Sequence, residues 1–129
     1  MSVIKRVLCP QRLRQVPSQF SWIDHRLVRE GHISRCSANA LALYLFLLTV
    51  ADGRGLSYYS DPSILRLMRL DAAALAGARR ELIAVGLIAY QRPLYQVLAL
   101  EVPADPMRGL LDGQPQRLGQ ILGSMELTR

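Results

Sequence analysis

The chain has 129 residues, half of them apolar and a fifth charged, with seven Pro and nine Gly. That length suits one domain with short tails, and the composition excludes both a disordered polar chain and a collagen-like repeat. Sixteen Lys and Arg against ten Asp and Glu give a formal charge of +6, which points to an anionic partner, nucleic acid first. All of the sixteen but Lys5 are Arg, the planar donor suited to phosphate. A GC-rich genome choosing Arg codons would give the same excess.

Residues 1–20 read as a basic flexible arm. Lys5, Arg6, Arg12 and Arg14 bring four positive charges and no acid, and Pro10 and Pro17 interrupt any helix. Ser21-Trp22-Ile23-Asp24 has the form of a capping box. It predicts a short helix running to Glu30, with Ile23 and Leu27 turned inward and Gly31 as the stop. Ser37 is the next N-cap, and a helix apolar almost all round follows over 38–51. Such a helix lies at the centre of a core or partly in a subunit interface, so a homodimer through 38–51 is expected. It is shorter than the roughly 20 apolar residues of a membrane span. No secretory signal is evident, and Cys9 and Cys36 make no disulfide framework. The expectation is a cytoplasmic protein with no membrane contact.

Asp52-Gly53-Arg54-Gly55 ends that helix, and residues 56–59 form a short strand. Tyr58 and Tyr59 face opposite ways on it, one of them into the core. Ser60 caps a helix that runs through Met68, with Pro62 tolerated in its first turn. Arg69-Leu70 makes a turn, and Asp71 caps a longer helix over 72–85. Leu75, Ala78 and Leu82 mark its buried face and Glu81 its solvent face. Gly86 supplies the left-handed residue that ends it. Residues 87–91 and 94–100 read as the two strands of a hairpin around Arg92-Pro93. Arg-Pro is not a favoured two-residue turn, so a wider loop is expected. Past Glu101 three Pro and four Gly break the pattern. Residues 102–129 read as a partly ordered tail, with weak helical turns at 108–111 and 117–122.

The order of elements is helix, helix, strand, helix, turn, helix, hairpin, a mainly α fold with a small β-sheet (α+β). The stretch over 60–85 has the length and turn of a helix-turn-helix, and the hairpin follows at once. Leu56-Ser57-Tyr58-Tyr59-Ser60, Arg79-Arg80-Glu81-Leu82-Ile83-Ala84-Val85-Gly86-Leu87-Ile88 and Tyr95-Gln96-Val97-Leu98 together resemble winged helix-turn-helix proteins. The resemblance covers residues 21–101. It is closest to the amino-terminal domains of plasmid replication initiators and DnaD-like proteins, or to small regulators carried by mobile elements. It implies double-stranded DNA as the partner, in transcription regulation or replication initiation of a mobile element.

That resemblance makes the helix over 71–85 the recognition helix, lying in the major groove. Its outward face is Ala73, Ala76, Gly77, Arg80 and Ala84. Direct readout needs Arg, Lys, Asn or Gln at base edges, and here Arg80 alone qualifies. One reading follows in which Arg66, Arg69, Arg80, Arg92 and the arm hold phosphates, which positions a protein without specifying sequence. In the other, the smooth Ala/Gly face packs on a partner protein. Arg79 is expected near the core edge, paired with Asp71 or beside Glu81. Cys9, His25, His32 and Cys36 lack metal-site spacing, and no nucleophile elbow, P-loop or dinucleotide fingerprint is present. Neither an enzyme nor a cofactor is expected.

Overall fold

A computed structural model describes residues 4–100. The first three residues of the expected arm and the whole expected tail over 102–129 lie outside the described residues. Four α-helices, α1 (Arg26–Arg29), α2 (Ala38–Val50), α3 (Asp61–Leu67) and α4 (Ala72–Ala84), combine with three strands, β1 (Leu56–Tyr58), β2 (Ile88–Gln91) and β3 (Leu94–Val97). The strands form one antiparallel sheet in the order β1-β3-β2. The architecture is therefore α+β.

Three helices start where a short polar side chain satisfies an orphan backbone donor. Ser37 Oγ accepts from Ala40 N, Ser60 Oγ from Ser63 N, and Asp71 Oδ1 from Ala74 N at 2.7 Å. The expected cap at Ser21 is not formed. Its hydroxyl donates instead to the Thr49 carbonyl, and Asp24 Oδ1 accepts from Arg26 N, so α1 is a single turn beginning five residues after Ser21. Ile23, expected inside, is consequently exposed, while Leu27 is buried as expected.

α2 packs most extensively on α4. Ala40, Leu43, Tyr44 and Leu47 of α2 are buried, as are Leu75, Ala78 and Leu82 of α4. Ile64 of α3, Leu87 and Ile88 at the head of β2, and Tyr95 on β3 complete the core. Full burial of such aliphatic side chains stabilises by about 1.5–3 kcal/mol each. The core is aliphatic because the sequence offers only eight aromatic side chains; one of them, Tyr59, meets Phe46 edge-on, with ring centroids 5.1 Å apart. Tyr59 is thus the inward member of the tyrosine pair, and Tyr58 is 72% exposed.

Gln91 pairs directly with Leu94, so the hairpin turn is Arg92-Pro93 alone, closed by a cis peptide bond, and not the wider loop expected. A cis proline at the third position of a four-residue turn is a recognised tight geometry. β1 joins the other side of β3 with Leu56 opposite Gln96 and Tyr58 opposite Leu94. The approach is closest at Gly55, whose φ of +85° belongs to the left-handed region. A Cβ there would lie 2.6 Å from the Val97 carbonyl oxygen. The bond from Val97 N to the Gly55 carbonyl, 2.8 Å, holds the two backbones together.

Candidate nucleic-acid interface

Exposed cations lie on the α3–α4 pair, at the hairpin tip and along the amino-terminal segment, and also at Arg29, Arg35 and Arg54 elsewhere on the fold. Arg66 is exposed in the last turn of α3, with Nη2 donating to Ser63 Oγ at 3.4 Å. Arg69 is exposed in the link between the helices, and Arg80 is exposed on α4. Arg92 is exposed at the tip of the hairpin. Lys5, Arg6, Arg12 and Arg14 are exposed too, and one 3-10 turn, Pro10–Arg12, interrupts that segment.

On α4, Ala73, Arg80 and Ala84 are exposed and Ala76 and Gly77 half-buried. The Arg80 guanidinium lies over Gly77, where an added Cβ would meet its Nη2 at 3.9 Å. The face is therefore low and smooth, with a single long side chain arching across it. The acid at its N-terminus, Asp71, spends its carboxylate on the N-cap, where a negative charge also suits the helix dipole.

Arg79, next in sequence to Arg80, has an entirely different role. It does not pair with Asp71 or beside Glu81, as the sequence suggests. Its Nη1 donates to Asp61 Oδ1 at 2.9 Å and its Nη2 to Asp61 Oδ2 at 3.2 Å, a bidentate fork. Nη1 also donates to the Tyr95 hydroxyl at 2.7 Å, and the guanidinium lies 4.5 Å from the centroid of the Tyr90 ring. One side chain thus ties the start of α3 to α4 and to both strands of the hairpin. The Asp61 hydrogen bonds raise the Arg79 pKa further, so its charge is permanent. Burial pushes the Tyr95 phenol upward, and it stays neutral at ordinary pH.

Glu81 is likewise engaged rather than solvated. Its carboxylate accepts from Ser37 N and, at 2.8 Å, from Ser37 Oγ. This clamps the N-terminus of α2 onto α4 and fixes the helix that presents Arg80. The pairs Arg79–Asp61 and Glu81–Ser37 span 18 and 44 residues, beyond the reach of any local pattern.

Cys36 and His32 serve local bonds. Cys36 Sγ donates to the His32 carbonyl, Arg35 Nη2 lies 2.6 Å from His32 Nδ1, and His32 Nε2 sits 3.5 Å from Glu30 Oε1. Burial raises the Cys36 pKa, which keeps it a thiol. No group of three metal-ligating side chains occurs among the described residues. No helix among them is long and apolar enough to cross a membrane. The side of α2 turned from the core, with Ala38, Ala42, Leu45 and Thr49, is exposed.

Comparison with family models, curated proteins and solved structures finds no match to this chain. The functional reading therefore stands on the residues themselves.

Proposed function

We propose that the chain is a winged helix-turn-helix protein that binds double-stranded DNA, mainly through phosphate contacts, in transcription regulation or replication initiation of a mobile element. In this reading α3 and α4 form the helix-turn-helix and β2–β3 the wing. α4 lies along the major groove, and its low Ala73/Gly77 face lets the helix approach closely. Arg80 is the groove residue. Arg66, Arg69 and Arg92 hold phosphates, and Lys5, Arg6, Arg12 and Arg14 extend the contact along the backbone.

One observation carries the reading. Arg66, Arg69, Arg80 and Arg92 are exposed, while Asp61, Asp71 and Glu81, the acids of the same helix pair, are tied to Arg79, to a helix N-terminus and to Ser37. The face is thereby left with cations facing solvent and its carboxylates engaged. The described residues hold thirteen Lys and Arg against six Asp and Glu, and without the four cations of the amino-terminal segment nine Arg against the same six, so the fold itself is basic.

The test is the double variant Arg80→Ala with Arg92→Ala, measured by anisotropy on duplex DNA. If Arg80 reads a base and Arg92 a phosphate, the loss should be about 1–3 kcal/mol for the groove contact, with a shallower salt dependence. Unchanged affinity would remove both residues from the interface. Complete absence of DNA binding by the parent chain would favour the second reading, in which the Ala73/Gly77 face docks a partner protein.

A further inference from the structure

The segment preceding α1 has an exposure that duplex binding does not use. Trp22 is 76% exposed and Phe20 is 66% exposed. Trp22 is the only tryptophan of the chain, and Phe20 one of two phenylalanines. Large aromatic side chains ordinarily supply much of a core, yet these two stand outside it. From Lys5 to Ile23 the sequence holds four cations and no acid. The segment is anchored at its end, where Ser21 Oγ donates to the Thr49 carbonyl and Asp24 pairs with Arg26 at 2.6 Å. Phe20 and Trp22 are thus presented beside fixed points, not on a free end.

From these features we infer that residues 5–22 also bind single-stranded polynucleotide, with Phe20 and Trp22 stacking on unpaired bases and the four cations shared with the duplex contact proposed above. Lys5, Arg6, Arg12 and Arg14 hold the strand's phosphates. Cations that track a backbone combined with aromatic faces for bases is the chemistry by which proteins hold single strands without reading sequence. Duplex DNA cannot use this site in that way, because its base faces are already stacked on one another.

Two other occupants fit the segment less well. A membrane surface is recognised by an amphipathic helix, and here Pro10 and Pro17 interrupt the chain and no α-helix forms before Arg26 among the described residues. A second copy of the fold would meet four cations with a surface that is itself basic. Val7, Leu8, Leu13, Val16 and Ile23 share the exposure, and an apolar groove on another protein is the outcome that replaces this inference if it fails. The inference does not depend on Arg80 or Arg92 binding duplex.

Trp22 reports on its own site. The full chain is titrated at low salt with a 20-nucleotide oligo(dT), a 20-nucleotide oligo(U) and a 20-base-pair duplex, following tryptophan fluorescence. Saturable quenching by oligo(dT), absent with the duplex, is expected. Equal quenching by oligo(U) would widen the ligand to RNA, and none with oligo(U) would restrict it to DNA; both support the site. In a parallel anisotropy measurement with labelled oligo(dT), Phe20→Ala with Trp22→Ala should weaken binding about tenfold or more and leave duplex affinity within about twofold. Both side chains are exposed, so the variant keeps its core. No quenching by either oligonucleotide, equal quenching by the duplex, or unchanged oligo(dT) affinity in the double variant would each overturn the inference.

Discussion

Gly55 and Gly86 have nearly the same backbone conformation, with φ of +85° and +81°, but very different surroundings. A Cβ at Gly86 meets nothing within 4 Å, whereas one at Gly55 falls 2.6 Å from the Val97 carbonyl oxygen and 3.4 Å from Val97 N. Gly86→Ala therefore carries only the left-handed strain of an L-residue, about 1–2 kcal/mol. Gly55→Ala carries the same strain plus a clash with backbone, which no rotamer change relieves. β3 would have to move and give up the Val97–Gly55 hydrogen bond, adding about 1–3 kcal/mol by analogy with overpacked cores. A total of about 2–5 kcal/mol is a large share of the roughly 5–15 kcal/mol that stabilises a domain. In a domain of this size each kcal/mol lowers Tm by about 4–8 °C. Thermal and urea unfolding of the two variants side by side gives the comparison, with unchanged m-values showing that both lose stability without a change in the surface exposed on unfolding. Equal losses would refute the close approach of the Gly55 turn to β3.

Ser57 lies buried on β1 opposite Tyr95, and its hydroxyl has no hydrogen-bond partner among the described residues. Ser57→Ala should accordingly raise stability by about 1 kcal/mol, read as a higher urea midpoint; a loss would mean that the hydroxyl is satisfied. Hydrogen bonds from the Arg26 side chain, then from its backbone N–H, lower the Asp24 carboxyl to about 2. The unfolded value is about 3.9, so this contribution to stability is complete above about pH 4 and fades as the pH falls towards 2. NMR titration should place the Asp24 midpoint near the lower end of that window, and a midpoint at about 4 would mean that the Asp24–Arg26 contact is not held in solution.

The parts of the fold visible in sequence are those decided within a few residues. Ser37, Ser60 and Asp71 precede apolar-periodic runs and do cap their helices, and the inward positions Leu75, Ala78 and Leu82 follow from the helical period. Ser21 has the same local pattern but does not cap, because the Thr49 carbonyl offers its hydroxyl a tertiary partner, and Asp24 Oδ1 instead accepts from Arg26 N. Arg79 does stand at the core edge, but its partner Asp61 and the Ser37 contact of Glu81 escape the same local rules. Adjacent helix residues face different directions, and whether a charge meets solvent or a partner 18 or 44 residues away depends on how the helices pack. The exposed arginines Arg66, Arg69, Arg80 and Arg92 could be located from sequence, since turn and outward-face positions are local properties. Helical position separates outward Arg80 from Arg79 at the core edge, but the partners of Arg79, Asp61, Tyr95 and Tyr90, emerge only once α3, α4 and the hairpin are assembled.

The most direct measurement is fluorescence anisotropy of the full chain on a labelled random-sequence duplex at about 50 and about 200 mM salt. With phosphates held by Arg66, Arg69 and Arg92 and by Lys5, Arg6, Arg12 and Arg14, binding should weaken roughly a thousandfold or more between the two conditions. A fall of that order, recurring with unrelated duplex sequences, is the result predicted. Affinity that is flat in salt, or no binding at about 50 mM, would contradict duplex recognition through phosphates.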